Sequence, residues 1–258
     1  MKNIVRSFSL IINYKTLVIT ALAVISAYLC FTYGLIAKFP SELVGVAIVF
    51  PVVFSIGSAY NRRETALQRW ADFRGHAIAI YFATRDWPSN HENDLPKRTR
   101  VLIHEMVQFT SAILKCDKEE FPEKEKQFYE LFSQLSKITM ELRTYGVQSG
   151  EISRISQYVS KMVIAFDNMK IIFQYRTPIT LRTYSKVFIY IFPIIYGPYF
   201  ASTFHDYSAD LEYVMPVLYS FILVSLDNIQ DQLENPFDQV GEDDIQIDSE
   251  EMDRLMVA

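Results

Sequence analysis

Long apolar stretches lie at both ends of the chain, and a charged region separates them. The first stretch, residues 16–37, has no charged side chain and is long enough to cross the ~30 Å hydrocarbon core of a bilayer as a helix. A second stretch, residues 43–61, follows after only five residues, KFPSE. Because the link is so short, we expect the two stretches to form an antiparallel hairpin. This pattern predicts an integral membrane protein.

Two further apolar stretches follow the charged region. Residues 187–204 contain two prolines, which membrane helices tolerate because neighbouring helices satisfy the freed carbonyl groups. Residues 213–226 have a length at which a buried helix of a soluble protein competes with a membrane span. We interpret them as a fourth span because a short polar link joins them to the third, and because the polar sequence after them would otherwise lie on the outer side.

Charged residues predict the orientation of these spans. Basic side chains flank the spans on one side: Lys2, Arg6, Lys15, Arg62, Arg63, Arg69, Arg74, Arg176, Arg182 and Lys186. The two short links between the spans contain the basic residue Lys38 but four acids: Glu42, Asp206, Asp210 and Glu212. By the positive-inside rule, both termini and the whole middle region are cytoplasmic. We therefore expect a multi-pass protein of the cell membrane, with no cleaved secretory signal.

The middle region has helical periodicity. One helix is expected to begin at the sequence Ser149-Gly150-Glu151. Two narrow apolar stripes follow helical spacing: Phe128, Leu131, Leu135, Ile138 and Leu142, then Ile152, Ile155, Val159, Met162, Phe166 and Met169. Such stripes pack helix against helix or subunit against subunit. The predicted fold is all-α, with four transmembrane helices per subunit and a cytoplasmic helical bundle.

These spans divide the chain into four predicted parts. Residues 1–61 form an N-terminal segment and the first hairpin, and residues 62–186 form the cytoplasmic helical region. Residues 187–229 form the second hairpin, and residues 230–258 form a cytoplasmic acidic tail.

Composition excludes several functions. The net charge of −5, without a basic face interleaved with aromatic residues, argues against nucleic-acid binding. Cys30 and Cys116 lie far apart in the sequence and are expected to be free thiols in a reducing compartment. The four histidines share no metal-ligand spacing, and no nucleophile or phosphate-loop motif occurs. We therefore do not expect an enzyme.

Two segments remain as functional candidates. In the second span, Val46, Phe50 and Phe54 follow at i, i+4 and i+8 and so share one helix face. Such a face usually meets lipid or a neighbouring helix, although it could line a pore. After the fourth span, an Asn-Pro-Phe turn precedes Glu242, Asp243 and Asp244. Their oxygens suit a hard cation such as calcium, and a solvated acidic tail is the alternative.

Three segments resemble the bestrophin family. Residues 226–248 resemble its segment after the last membrane helix, where Leu-Asp leads to Glu-x-Pro-Phe-Gly and an acidic element; here Asp238 replaces the glycine, and the loop is slightly longer. Residues 57–70 resemble the bacterial pattern of small residues, then Tyr-Asp-Arg and a Trp, with Asn61 in place of the Asp. Residues 176–184 resemble a Thr-Pro-x-Pro element without its second proline.

The resemblance implies a pentameric ion channel that needs no cofactor. In this family the second membrane helix lines a hydrophobic neck, which falls on Val46, Phe50 and Phe54. A second constriction at a cytoplasmic helix start falls at Ile152. Animal members bind calcium after the last helix, and the matching candidates are Gln232, Asn235, Asp243 and Asp244.

The expected partners are the lipid bilayer, further copies of the chain and small inorganic ions. Bestrophins pass chloride and other anions or monovalent cations. The acidic excess of the outer links, repeated around a ring, would concentrate cations at the entrance. From the sequence, the choice between anions and cations stays open.

Two other functions compete with the channel. A non-conducting receptor or scaffold could bind a partner through the cytoplasmic helices. A membrane enzyme is disfavoured because the spans contain no buried acid, base or metal-ligand set.

Overall fold

The computed structural model describes residues 12–89, 93–203, 211–239 and 243–257. The regular elements in these ranges are helices, so the all-α prediction is confirmed. In chain order they are α1 (Tyr14–Thr32), α2 (Ser41–Asp86), α3 (Leu95–Ile113), α4 (Phe121–Glu141), a 3₁₀ turn (Leu142–Tyr145), α5 (Ser149–Gln174), α6 (Ile179–Thr203), α7 (Leu211–Leu233) and α8 (Ser249–Val257).

The helices form two compact units. Within the described ranges, unit 1 contains residues 12–63, 176–235 and 243, and unit 2 contains residues 64–175, 236–239 and 244–257. Helix α2 contributes residues to both units. Each unit is therefore assembled from segments that are far apart in the sequence.

In unit 1, α1 packs mainly against α6 and α7. Helix α1 begins at a capping box, in which the Asn13 side chain accepts hydrogen bonds from the Lys15 and Thr16 amides and the Thr16 hydroxyl accepts one from the Asn13 amide. The unit's apolar core combines residues of α1, α2, α6 and α7: Ile19, Ala27, Ile48, Val52, Ile189, Phe192, Tyr196, Phe200, Leu223 and Val224.

Two helices of the described ranges, α1 and α2, are long and apolar enough to cross a membrane. Helices α6 and α7 contain most of the third and fourth predicted spans. Phe204, the last residue of the third predicted span, lies outside the described residues, as do Asp206 and Asp210 of the link after it.

Helix α2 is much longer than the second predicted span. Its 46 residues make a helix about 70 Å long, at 1.5 Å per residue, and it continues 25 residues beyond Asn61. The sequence between residues 58 and 86 contains no proline and only one glycine, Gly75, so nothing in it interrupts the helix. A buried stripe with Phe73, Ala77 and Ile80 continues along this part and packs into unit 2.

In unit 2, the two predicted apolar stripes pack against each other. Their residues are buried, and the rings of Phe128 in α4 and Phe166 in α5 lie 4.2 Å apart between centroids. Helix α5 begins at Ser149, as predicted, and Gly146 (φ 81°) ends the preceding turn in the left-handed conformation. The predicted packing role of both stripes is confirmed within this chain.

The end of the chain also packs into unit 2. Helix α8 lies against α3, and Met252 and Met256 are fully buried. Asp253 accepts a hydrogen bond from Arg100 (3.2 Å) and lies 2.9 Å from His104 Nδ1. The acidic residues of 249–257 therefore belong to an amphipathic helix that packs against α3.

Candidate functional site

The part of α2 in unit 1 has two opposite faces. Ile48, Val52, Ser55 and Ala59 are buried on one face. The three predicted neck residues share the other face, because 100° per residue places them on the far side of the helix. Their exposed fractions are 63% for Val46, 60% for Phe50 and 57% for Phe54.

The two phenylalanines of this exposed face contact each other. The Phe50 and Phe54 rings lie 4.5 Å apart between centroids in an edge-on arrangement. Pro51 follows Phe50 inside the helix and cannot donate a hydrogen bond to the carbonyl of Ala47. The exposed aromatic residues thus lie where α2 lacks one backbone hydrogen bond.

An open apolar groove of about 510 Å³ runs beside this face within unit 1. Val46, Val49, Phe50 and Val53 form one wall, and the other wall consists of aromatic residues from α6 and α7: Tyr196, Tyr199, Phe200 and Tyr219. Glu42 is the charged residue that lines it. The groove offers a surface for apolar contact rather than a set of reactive groups.

Ile152 lies in the first turn of α5, where the second constriction was predicted. Its side chain is only 2% exposed and belongs to the apolar core of unit 2. The exposed residues of this turn are Ser149, Gly150, Ser153 and Arg154. A constriction at this helix start stays a prediction; in this chain the Ile152 side chain is almost fully buried.

The four calcium candidates have different environments. Gln232 and Asn235 are half-buried, Asp243 is exposed, and Asp244 is buried. Gln232, Asn235 and Asp243 belong to unit 1, whereas Asp244 belongs to unit 2. Glu242 lies outside the described residues. Within the ranges that the structure describes, no three His, Cys, Asp or Glu side chains converge as a metal-binding group.

A positively charged side chain lies beside Asp243, one of the four calcium candidates. Arg63 Nε donates a hydrogen bond to the backbone carbonyl of Asp243, at 2.9 Å. The guanidinium group carries a full positive charge at neutral pH. Its charge opposes the binding of calcium at Asp243.

The Asn-Pro-Phe turn is ordered by contacts within unit 2. The Ile245 amide donates to the Pro236 carbonyl at 2.9 Å, and the Gln239 side chain donates to the Ile245 carbonyl at 3.2 Å. Phe237 and Ile245 are buried. Gln239 has a φ of 63°, a left-handed conformation that is uncommon for a residue with a side chain.

Glu234 connects two of the segments that resemble bestrophins. Its carboxylate accepts hydrogen bonds from the Thr177 amide (2.8 Å) and the Thr177 hydroxyl (2.9 Å), 57 residues earlier in the chain. Arg182 lies 4.0 Å away. Glu234 is almost fully buried, and a buried carboxylate is tolerated only where such donors satisfy it. This contact fixes the chain just before α6.

Asp231, near the end of α7, links α1 and α6 within unit 1. It accepts hydrogen bonds from Lys15 at the start of α1 (2.9 Å) and from Lys186 in α6 (3.1 Å). Asn13 donates to the Asn228 side chain at 2.9 Å. Neither this cluster nor the Glu234 contact was predicted from the sequence, because their partners are far apart along the chain.

Solved structures share this arrangement of helices. A bacterial bestrophin homolog from Klebsiella pneumoniae is 14% identical, matches 95% of this chain and 96% of its own chain, and gives a TM-score of 0.71. The chain has the bestrophin fold. A point variant of the Klebsiella bestrophin homolog gives a TM-score of 0.78 at 15% identity, over 94% of this chain and 96% of that chain.

A further match is a structure described only as a membrane protein. Its TM-score is 0.79 at 14% identity, and 95% of this chain and 96% of that chain are covered. No family model and no curated protein matches the sequence. The bestrophin resemblance of the three sequence segments is thus confirmed as a likeness of fold.

Proposed function

We propose that this chain is one subunit of a homopentameric ion channel in which α2 lines a hydrophobic neck. The observation that carries the proposal is the exposed apolar face of α2, formed by Val46, Phe50 and Phe54, in a chain with the bestrophin fold. Five copies of this face around an axis would make stacked apolar rings. A narrow ring of this kind cannot replace the hydration shell of an ion, so it impedes flow by dewetting until it widens.

The membrane part of the proposed channel consists of α1, α2, α6 and α7. Helices α6 and α7 carry large exposed apolar side chains, such as Ile194 and Ile222, although the core of unit 1 covers their other faces. Exposed tyrosines lie near the ends of the predicted spans: Tyr14, Tyr33, Tyr60 and Tyr184. Tyrosine is enriched where a membrane meets water, which supports four spans per subunit.

The proposed topology follows from the charges. Residues 62–186, residues 230–258 and both termini are assigned to the cytoplasm because the flanking basic residues favour that side. In this arrangement the helical region forms a cytoplasmic vestibule. We assign its constriction to the start of α5, where Ser153 and Arg154 reach solvent although Ile152 does not.

Ion flux through the purified protein tests the proposal. We expect the protein, reconstituted in liposomes, to dissipate a salt gradient that empty liposomes retain, and to form particles with five-fold symmetry around a central hole. A receptor or scaffold would need no continuous path. Absence of flux from well-assembled particles would therefore favour that alternative.

The proposed channel does not require calcium for stability. Because Arg63 places a positive charge beside Asp243, we expect equal melting temperatures in calcium and in chelator. A ligand that binds only the folded state would instead raise the melting temperature by mass action. Thermal unfolding of the detergent-solubilised protein measures this difference.

A rise with calcium that Asp243→Ala abolishes would establish the alternative, a calcium site. Asp248→Ala serves as the matched control, because Asp248 is an acid of the same segment but not a calcium candidate.

A further inference from the structure

Glu42 lies in register with the proposed neck. It occupies the first turn of α2, four residues before Val46, and it is exposed. Residues spaced by four lie above one another on a helix, so Glu42, Val46, Phe50 and Phe54 form one continuous face. Glu42 also lines the apolar groove that Val46 and Phe50 share with α6 and α7. A carboxylate therefore stands one helical turn before the first apolar ring.

The chain around Glu42 is held in place. In the preceding link, the Phe39 ring packs against Tyr196 (5.6 Å) and Tyr199 (5.4 Å), and the Ala37 amide donates to the Pro198 carbonyl at 3.4 Å. These contacts anchor the link to α6. The start of α2, and with it the backbone of Glu42, has a defined position.

The charge of Glu42 is not neutralised within the described residues. Lys38, the nearest base along the chain, is exposed and does not form an ion pair with it there. The side chains of the next turns on this face are apolar.

We propose that five copies of Glu42 form a carboxylate ring at the outer entrance of the neck and give the channel a preference for monovalent cations over anions. This inference rests on the proposed function. Rings of acidic side chains favour cations because they raise the local cation concentration and repel anions. The apolar neck itself carries no charge, so charged side chains at its entrance contribute to the choice between cations and anions.

Reversal potentials across a KCl gradient test the inference on the reconstituted full-length protein. We expect the wild type to prefer K⁺ over Cl⁻, and Glu42→Gln to lower that permeability ratio roughly tenfold at low ionic strength. Glu42→Lys should shift the preference toward Cl⁻, and Glu42→Asp should keep the preference for K⁺. The effect of Glu42→Gln should shrink at high salt, since salt screens exposed charges.

Glu130→Gln is the matched control, because Glu130 is an exposed acid in α4 of unit 2. It should leave the permeability ratio unchanged. An unchanged ratio in Glu42→Gln, in a pentamer that conducts, would overturn the role of Glu42 while the channel proposal stands. A wild type that conducts no ions would overturn both.

Discussion

Replacing both Phe50 and Phe54 with alanine is expected to raise ion flux severalfold in liposomes while the proposed pentamer stays intact. The physical reason is that both rings project from the exposed face of α2 and contact each other at 4.5 Å. Their removal would widen the proposed apolar constriction, so that ions would pass with more of their hydration shell and the dewetting barrier would fall.

The measurement is salt-gradient-driven flux, with assembly checked by size-exclusion chromatography. The matched control is the double variant Ile194→Ala with Ile222→Ala, which removes exposed apolar bulk from α6 and α7 instead of α2. It should leave flux unchanged. If flux in a well-assembled Phe50→Ala, Phe54→Ala protein were unchanged or lower, α2 would not line the path in the way proposed.

Substituting Gly197 with a residue that has a side chain is expected to destabilise unit 1 strongly. A Cβ atom at this position would overlap the Ser26 hydroxyl and would lie 3.3 Å from both Cys30 Sγ and the Ser26 backbone carbonyl carbon. Small residues at such crossings let membrane helices approach closely, and packing of this kind replaces the hydrophobic driving force within lipid. Gly197→Ala should cost roughly 1–3 kcal/mol, the usual range for overpacking. Gly197→Leu should prevent folding.

Thermal unfolding in detergent measures the effect of Gly197→Ala. Gly75→Ala is the control, since it changes a helical glycine where an added Cβ meets nothing within 4 Å. It should leave the melting temperature unchanged or raise it, because alanine favours the helix. Combining Gly197→Ala with Ser26→Gly should restore part of the lost stability. Full stability of Gly197→Ala alone would show that α1 and α6 are not in close contact there.

Local periodicity made much of the fold predictable. The start of α5 at Ser149 and the buried stripe that follows it depend only on residues within a few turns of each other. Ile152 carries two predictions of different origin. The spacing of Ile152 and Ile155 predicted a packing role, which the structure confirms, whereas the constriction that the family resemblance places at Ile152 stays a prediction.

Contacts between residues far apart in the chain could not be predicted from the sequence. Thr177 and Glu234 each belong to a recognisable segment, but no local pattern pairs a hydroxyl with a carboxylate 57 residues away. The continuation of α2 to Asp86 was missed for another reason. Its charged residues marked the end of the apolar span, yet charge does not end a helix. Periodicity placed Val46 and Phe50 on one face, but cannot say whether that face meets lipid, a neighbouring helix or an ion.

The order of segments in unit 1 has a consequence for synthesis in the cell. Helix α1 packs mainly against α6 and α7, and the cluster around Asp231 links it to residues more than 170 positions later. When the ribosome has completed residue 175, the main part of unit 2 exists, but α1 still lacks these partners. Helix α1 must therefore remain in lipid, or in contact with the insertion machinery, until α6 and α7 have been synthesised. Premature termination within α7 would leave α1 without its polar contacts, exposed to membrane quality control.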